Sequence, residues 1–159
     1  MNLVRFIENC IKNNGGTIQP LWDVEANSGY MVGIGYEKQV QIDPDKALFA
    51  QLKLAAQNFI AVYADILDTN PDYFFGVWIN DGILYLDVSQ NVEDLREAVE
   101  IGLGNNELSI YDLNKGKVID LTIDKGGKQL RYSPQTAGTE TQKAAYKTQW
   151  IDQFIQQNK

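Results

Sequence analysis

Apolar positions near the start of the chain recur at helical spacing. Leu3, Phe6, Ile7, Cys10 and Ile11 share one side, and Arg5, Glu8, Asn9 and Lys12 fall elsewhere on the wheel. Gly15-Gly16 predicts the stop. The pattern then changes period: Tyr30, Val32, Ile34 and Tyr36 alternate with Met31, Gly33 and Gly35, which predicts short strands between residues 17 and 42. Asp43-Pro44 opens the longest helix, 44–68, with Asp43 as cap and Pro44 at the first helical position. Its stripe is Leu48, Leu52, Ala55, Phe59, Val62 and Ile66, widened by Ala56, Ile60, Tyr63 and Leu67. A stripe that wide suits a helix packed on a sheet.

Two alternating runs, 73–79 and 83–89, flank Asn80-Asp81-Gly82, the composition of a tight hairpin turn. An acidic helix follows over 91–103, opened by Ser89 or Asn91, with Val92, Leu95, Ala98, Val99 and Leu103 as its apolar side. Strands are expected at 107–113 and 117–123 around Asn114-Lys115-Gly116, and an edge strand at 128–132. The run 83–89, the helix and 107–113 form a strand-helix-strand crossover, whose two strands should lie parallel or nearly so in one sheet. Residues 133–139 have linker composition. A last helix over 141–157 carries Tyr146, Trp150 and Phe154 four apart, with Ile151 and Ile155 beside them.

The expectation is therefore an α+β fold. Residues 1–132 form a single domain, with a mixed β-sheet packed by the long helix 44–68 and the acidic helix 91–103, and with helices at both termini. Residues 133–159 are a linker and a C-terminal helix, either docked on the body or binding a partner, as in a homodimer anchored by Trp150 and Phe154.

Composition narrows the function classes. The 159 residues include no histidine, which removes His-based triads, His-ligated zinc and His acid–base catalysis. A net charge of −7 disfavours direct nucleic-acid binding and anionic membranes. No apolar run approaches the ~20 residues that span a bilayer. Cys10 stands alone on an apolar helix face, so it reads as a small core residue in a protein of the cytoplasm. The charge is also segregated: residues 1–59 carry −1, residues 60–112 carry −10, and residues 113–159 carry +4.

Few motifs carry chemistry. Gly33-x-Gly35 lacks the third glycine and the following helix of a dinucleotide site. No phosphate loop, CxxC pair, calcium loop or GxSxG elbow is present. Asp87, Asp112 and Asp120 sit inside apolar strand signals. Carboxylates at neighbouring strand ends are one way to hold Mg²⁺ for phosphate-ester chemistry, whereas hydrogen bonding at sheet rims is the plainer alternative. Glu93, Asp94, Glu97 and Glu100 line the acidic helix with Arg96 as the single base. Glu93, Glu97 and Glu100 recur as one carboxylate stripe, with Arg96 able to pair with Glu93 or Glu100.

The run from Gly76 to Asp120 contains a G-x-W hairpin, Tyr85 to Ser89 (YLDVS), Val92, Asp94, Glu97-Ala98, Asn105-Asn106, and Ile110, Asp112 and Leu113. Over residues 76–121 it resembles short accessory proteins of bacteriophages and mobile elements. More loosely it is similar to ArdA-type antirestriction proteins, small acidic proteins that mimic DNA charge. The basic C-terminal part departs from that second pattern and confines any mimicry to the acidic block.

The resemblance and the charge together imply a non-enzymatic accessory protein of the host-cell cytoplasm. It would bind a host protein with a basic surface, inhibiting a defence or nucleic-acid enzyme. The binding residues would be Asp87, Glu93, Asp94, Glu97, Glu100, Asp112, Trp150 and Phe154, with no catalytic residue, metal or cofactor. The alternatives are a Mg²⁺-dependent enzyme built on the strand aspartates and a structural or regulatory phage component.

Overall fold

A computed structural model describes residues 1–121 and 137–158. The chain is α+β, and it divides into two compact units: residues 1–27 with 33–91, and residues 28–32 with 92–159. The last helix belongs to the second unit, and the expected edge strand 128–132 lies outside the described residues.

In the first unit, α1 (Leu3–Asn13) starts on the Asn2 side chain, whose Oδ1 accepts from Arg5 N at 3.1 Å, and ends on a left-handed Asn14. Strand β1 (Gly15–Ile18) pairs antiparallel with β3 (Tyr73–Asn80), which pairs antiparallel with β4 (Ile83–Val92). The order continues to residues 33–41 of β2 (Tyr30–Gln41). Asp81 and Gly82 both take positive φ in the β3–β4 turn, as the Asp-Gly dipeptide predicts. One face of the hairpin buries Phe75, Val77, Leu84, Leu86 and Val88. Phe6, Ile7 and Cys10 of α1, and Leu52, Ala56 and Phe59 of α2 (Leu48–Val62), share that core.

Helix α2 begins four residues later than expected. Asp43 does not cap it. The Gln51 side chain reaches back, accepting from Asp43 N at 2.8 Å and donating to Asp43 O and Lys46 O. Those bonds satisfy residues 43–46 as a turn, with Asp43 Oδ1 accepting from Asp45 N. The helix also stops at Tyr63, where φ is −107° and ψ is 18°, and a separate short helix α3 (Ala64–Leu67) follows. The buried face runs through Leu52, Ala56, Phe59 and Leu67, which leaves Val62, expected in the stripe, 72% exposed.

In the second unit, Tyr30 and Met31 at the start of β2 pair antiparallel with β5 (Ser109–Asp112), and β5 pairs antiparallel with β6 (Lys117–Asp120). The mixed sheet expected from the crossover thus resolves into antiparallel ladders. β4 and β5 do not pair with each other, because β2 and β6 take up the hydrogen bonds of β5. Helix α4 (Leu95–Gly104) starts at Asp94, and α5 (Glu140–Gln157) starts with a capping box between Thr139 and Gln142. Val32, Val92, Ala98, Val99, Ile110, Ile119, Leu121, Ile151 and Phe154 form this unit's own core. No helix among the described residues is long and apolar enough to cross a membrane.

Candidate partner-binding surfaces

The acidic block separates on folding. Asp65, Asp68, Asp72, Asp81 and Asp87 belong to the first unit, and Glu93, Asp94, Glu97, Glu100, Glu107 and Asp112 to the second. A run that is continuous in sequence therefore supplies charge to two bodies.

Around the start of α4 the carboxylates differ in what they already do. Strand β4 extends to Val92, so Glu93 precedes the helix and does not join its stripe. Its Oε1 accepts from the Ser28 hydroxyl at 2.8 Å. Asp94 caps the helix, with Oδ2 accepting from Glu97 N at 3.0 Å. Both Asp94 and Glu97 gain from the positive end of the helix dipole. Glu100 lies beyond that first turn. All four side chains are exposed.

Arg96 pairs with neither Glu93 nor Glu100. Its guanidinium bonds the Asp152 carboxylate of α5. The one base on this stretch thus bridges α4 to α5 and pairs with none of the neighbouring carboxylates. Burial, and then the Asp112 and Asp94 carboxylates, raise the Tyr30 phenol above its ordinary range, so the same negative potential reaches β2.

Asp112 is 2% exposed. Its Oδ1 accepts from Lys115 N at 3.0 Å and closes the β5–β6 turn, a structural task inside the second unit. Phe154 is likewise 2% exposed within the second core, and Trp150 stacks on it at 5.3 Å between ring centroids. The aromatic stripe of α5 is therefore largely spent on docking that helix.

Asp87 sits in the first unit on the hairpin face opposite the core. It lies directly across from Gly76 in the β3–β4 ladder. A Cβ at Gly76 would stand 2.0 Å from Asp87 Oδ1, so any larger residue there would force the carboxyl to shift. Burial pushes the Asp87 carboxyl above the usual range, the Ser89 hydroxyl donating at 2.7 Å opposes the rise, and Glu37 adds to it. Such a group is a poor electrostatic lure for a basic surface.

The strand aspartates do not assemble. Asp120 is exposed on β6, and among the described residues no three acidic or thiol side chains gather as a metal site. Burial, aided by Glu25, pushes the Cys10 thiol up to about 12, which keeps it protonated and unreactive.

Sequence reasoning missed two exposed apolar features of the first unit. Trp78 is 53% exposed and pairs with Tyr85 across the hairpin. Leu21, Trp22 and Val24 are all about half exposed on one tight turn. The signal for the second was three apolar residues among the four that follow Pro20, where turn composition calls for polar residues. Comparison with family models, curated proteins and solved structures returns no match.

Proposed function

We propose that the chain is a non-enzymatic accessory protein, borne by a phage or mobile element, that binds a host protein. Glu97 and Glu100, supported by Glu93 and Asp94, meet a basic surface on that partner and block a defence or nucleic-acid enzyme. The observation that carries this reading is the commitment of Arg96 to Asp152. It leaves four exposed carboxylates around the start of α4 with no ion-pair partner among the described residues. Exposed charge of one sign speeds encounter with an opposite surface and makes binding salt-sensitive. The resemblance of residues 76–121 supplies the phage context.

The test is capture of a host protein from lysate by the tagged chain, repeated across salt concentrations and with Glu97→Lys plus Glu100→Lys. Capture that weakens with salt and with charge reversal supports the proposal. Capture indifferent to both would falsify it.

A further inference from the structure

Residues 19–24 form a turn that is braced from inside. Gln19 is 1% exposed. Its Nε2 donates to Leu67 O at 2.7 Å, and its Oε1 accepts from Leu21 N at 2.7 Å and Trp22 N at 3.1 Å. Gln19 N also donates to Val24 O at 2.7 Å, closing the turn. Asp23, with φ of 54°, accepts from Asn2 N and so fixes the turn against the start of α1. The tip held this way is apolar: Leu21 is 56%, Trp22 49% and Val24 51% exposed. Met1 and Val4, on the adjoining start of α1, are exposed as well.

The buried glutamine brace holds Trp22 in one place and leaves it about half exposed. A fixed, clustered apolar surface is the mark of an interface. Beside the tip lies a shallow depression lined by Asn2, Arg5, Phe6, Ile18, Asp23 and Glu25. The described ion pairs are Lys46–Asp43, Arg96–Asp152 and Lys143–Glu140. Arg5, Asp23 and Glu25 thus share one depression and form no ion pair.

That mixture of signs selects the occupant. A lipid surface gives the two carboxylates nothing to bind. A partner of single sign leaves Arg5 or the carboxylates buried without a counter-charge, which is costly. A two-fold interface needs a patch complementary to itself, and a patch holding both signs beside an apolar knob and a depression meets that need.

We infer that the 19–24 turn and the start of α1 form a two-fold interface with a second copy of this chain. Leu21 and Trp22 of each copy seat against the depression of the other, and Arg5 of each pairs with Glu25 or Asp23 of the other. This interface belongs to the first unit and is independent of the α4 carboxylates.

Sedimentation velocity of the full chain up to about 100 μM reads the outcome. A dimer is expected. Trp22→Ala should weaken it at least about tenfold, with circular dichroism unchanged. Arg5→Glu alone should weaken it, and Arg5→Glu combined with Glu25→Arg should restore it to within a few-fold of the parent. A chain that stays monomeric, a dimer indifferent to Trp22→Ala, or a charge swap without recovery overturns the inference. So does Trp22-dependent cosedimentation of a monomer with phosphatidylcholine vesicles.

Discussion

The Arg96 guanidinium bonds Asp152 on α5, although Glu93 and Glu100 are its nearer carboxylates in sequence. Both partners are about half exposed, so the pair is worth about 1 kcal/mol or less. Its larger effect is on charge. Asp152→Asn releases Arg96 toward the carboxylates of α4. We expect a thermal midpoint changed by only a few degrees, with host-protein capture weakened. Capture that survives Asp152→Asn unchanged argues that Arg96 was never kept from the binding face.

The Gly76–Asp87 pair makes a prediction about packing. Gly76→Ala puts a methyl group into the Asp87 carboxyl and should destabilise by about 1–3 kcal/mol in urea titration. Adding Asp87→Ala removes the obstacle, so the double variant should recover part of that loss. Strict additivity of the two changes would mean that the contact does not decide the cost.

Asp87 also sets a pH dependence. Its folded pKa is raised, chiefly by burial, so the native state holds the proton more tightly than the unfolded chain. The resulting stabilisation is complete below the unfolded pKa of about 4 and is lost as pH rises through the folded value. Asp87→Asn imitates the neutral form. It should be near neutral in acid and stabilising near pH 7, as read from urea midpoints across pH. A difference that does not vary with pH rules out the shift.

Gln19 should behave as a buried polar keystone. Gln19→Leu leaves Leu67 O without its donor and the Leu21 and Trp22 amides without their acceptor. The expected cost is about 1–3 kcal/mol. Faster hydrogen exchange at those two amides than in the rest of the first unit would locate the loss in the turn.

Phe154→Ala tests the docking of α5. Truncating a side chain buried in the second core should cost about 3–5 kcal/mol, with Trp150→Ala costing less because Trp150 is only half buried. Near-equal, small effects would return the aromatic stripe to the surface.

What the sequence made legible were the features with local causes. The β3–β4 turn is written in Asp81-Gly82, α1 in its spacing and its stop, and α5 in its four-residue period. The errors arose where a distant or side-chain group overrides a local signal. Gln51, eight residues away, holds Asp43 in a turn and delays α2. β4 carries past the expected cap through Asn91 and Val92, so Glu93 never joins the helix. The closeness of Asp87 to Gly76 depends on cross-strand register, which periodicity alone does not supply. Of the eight candidate site residues, the four around α4 are exposed as expected, while Asp112 and Phe154 serve the interior of the second unit.

The protonated, enclosed Cys10 has a practical corollary. It is the sole cysteine of this chain, and its burial should shield it from maleimide in the folded state. This chain is therefore already a clean background for site-directed spectroscopy. A cysteine introduced at Leu21 or at Glu100 would take a spin label or fluorophore selectively, with Cys10 left in place.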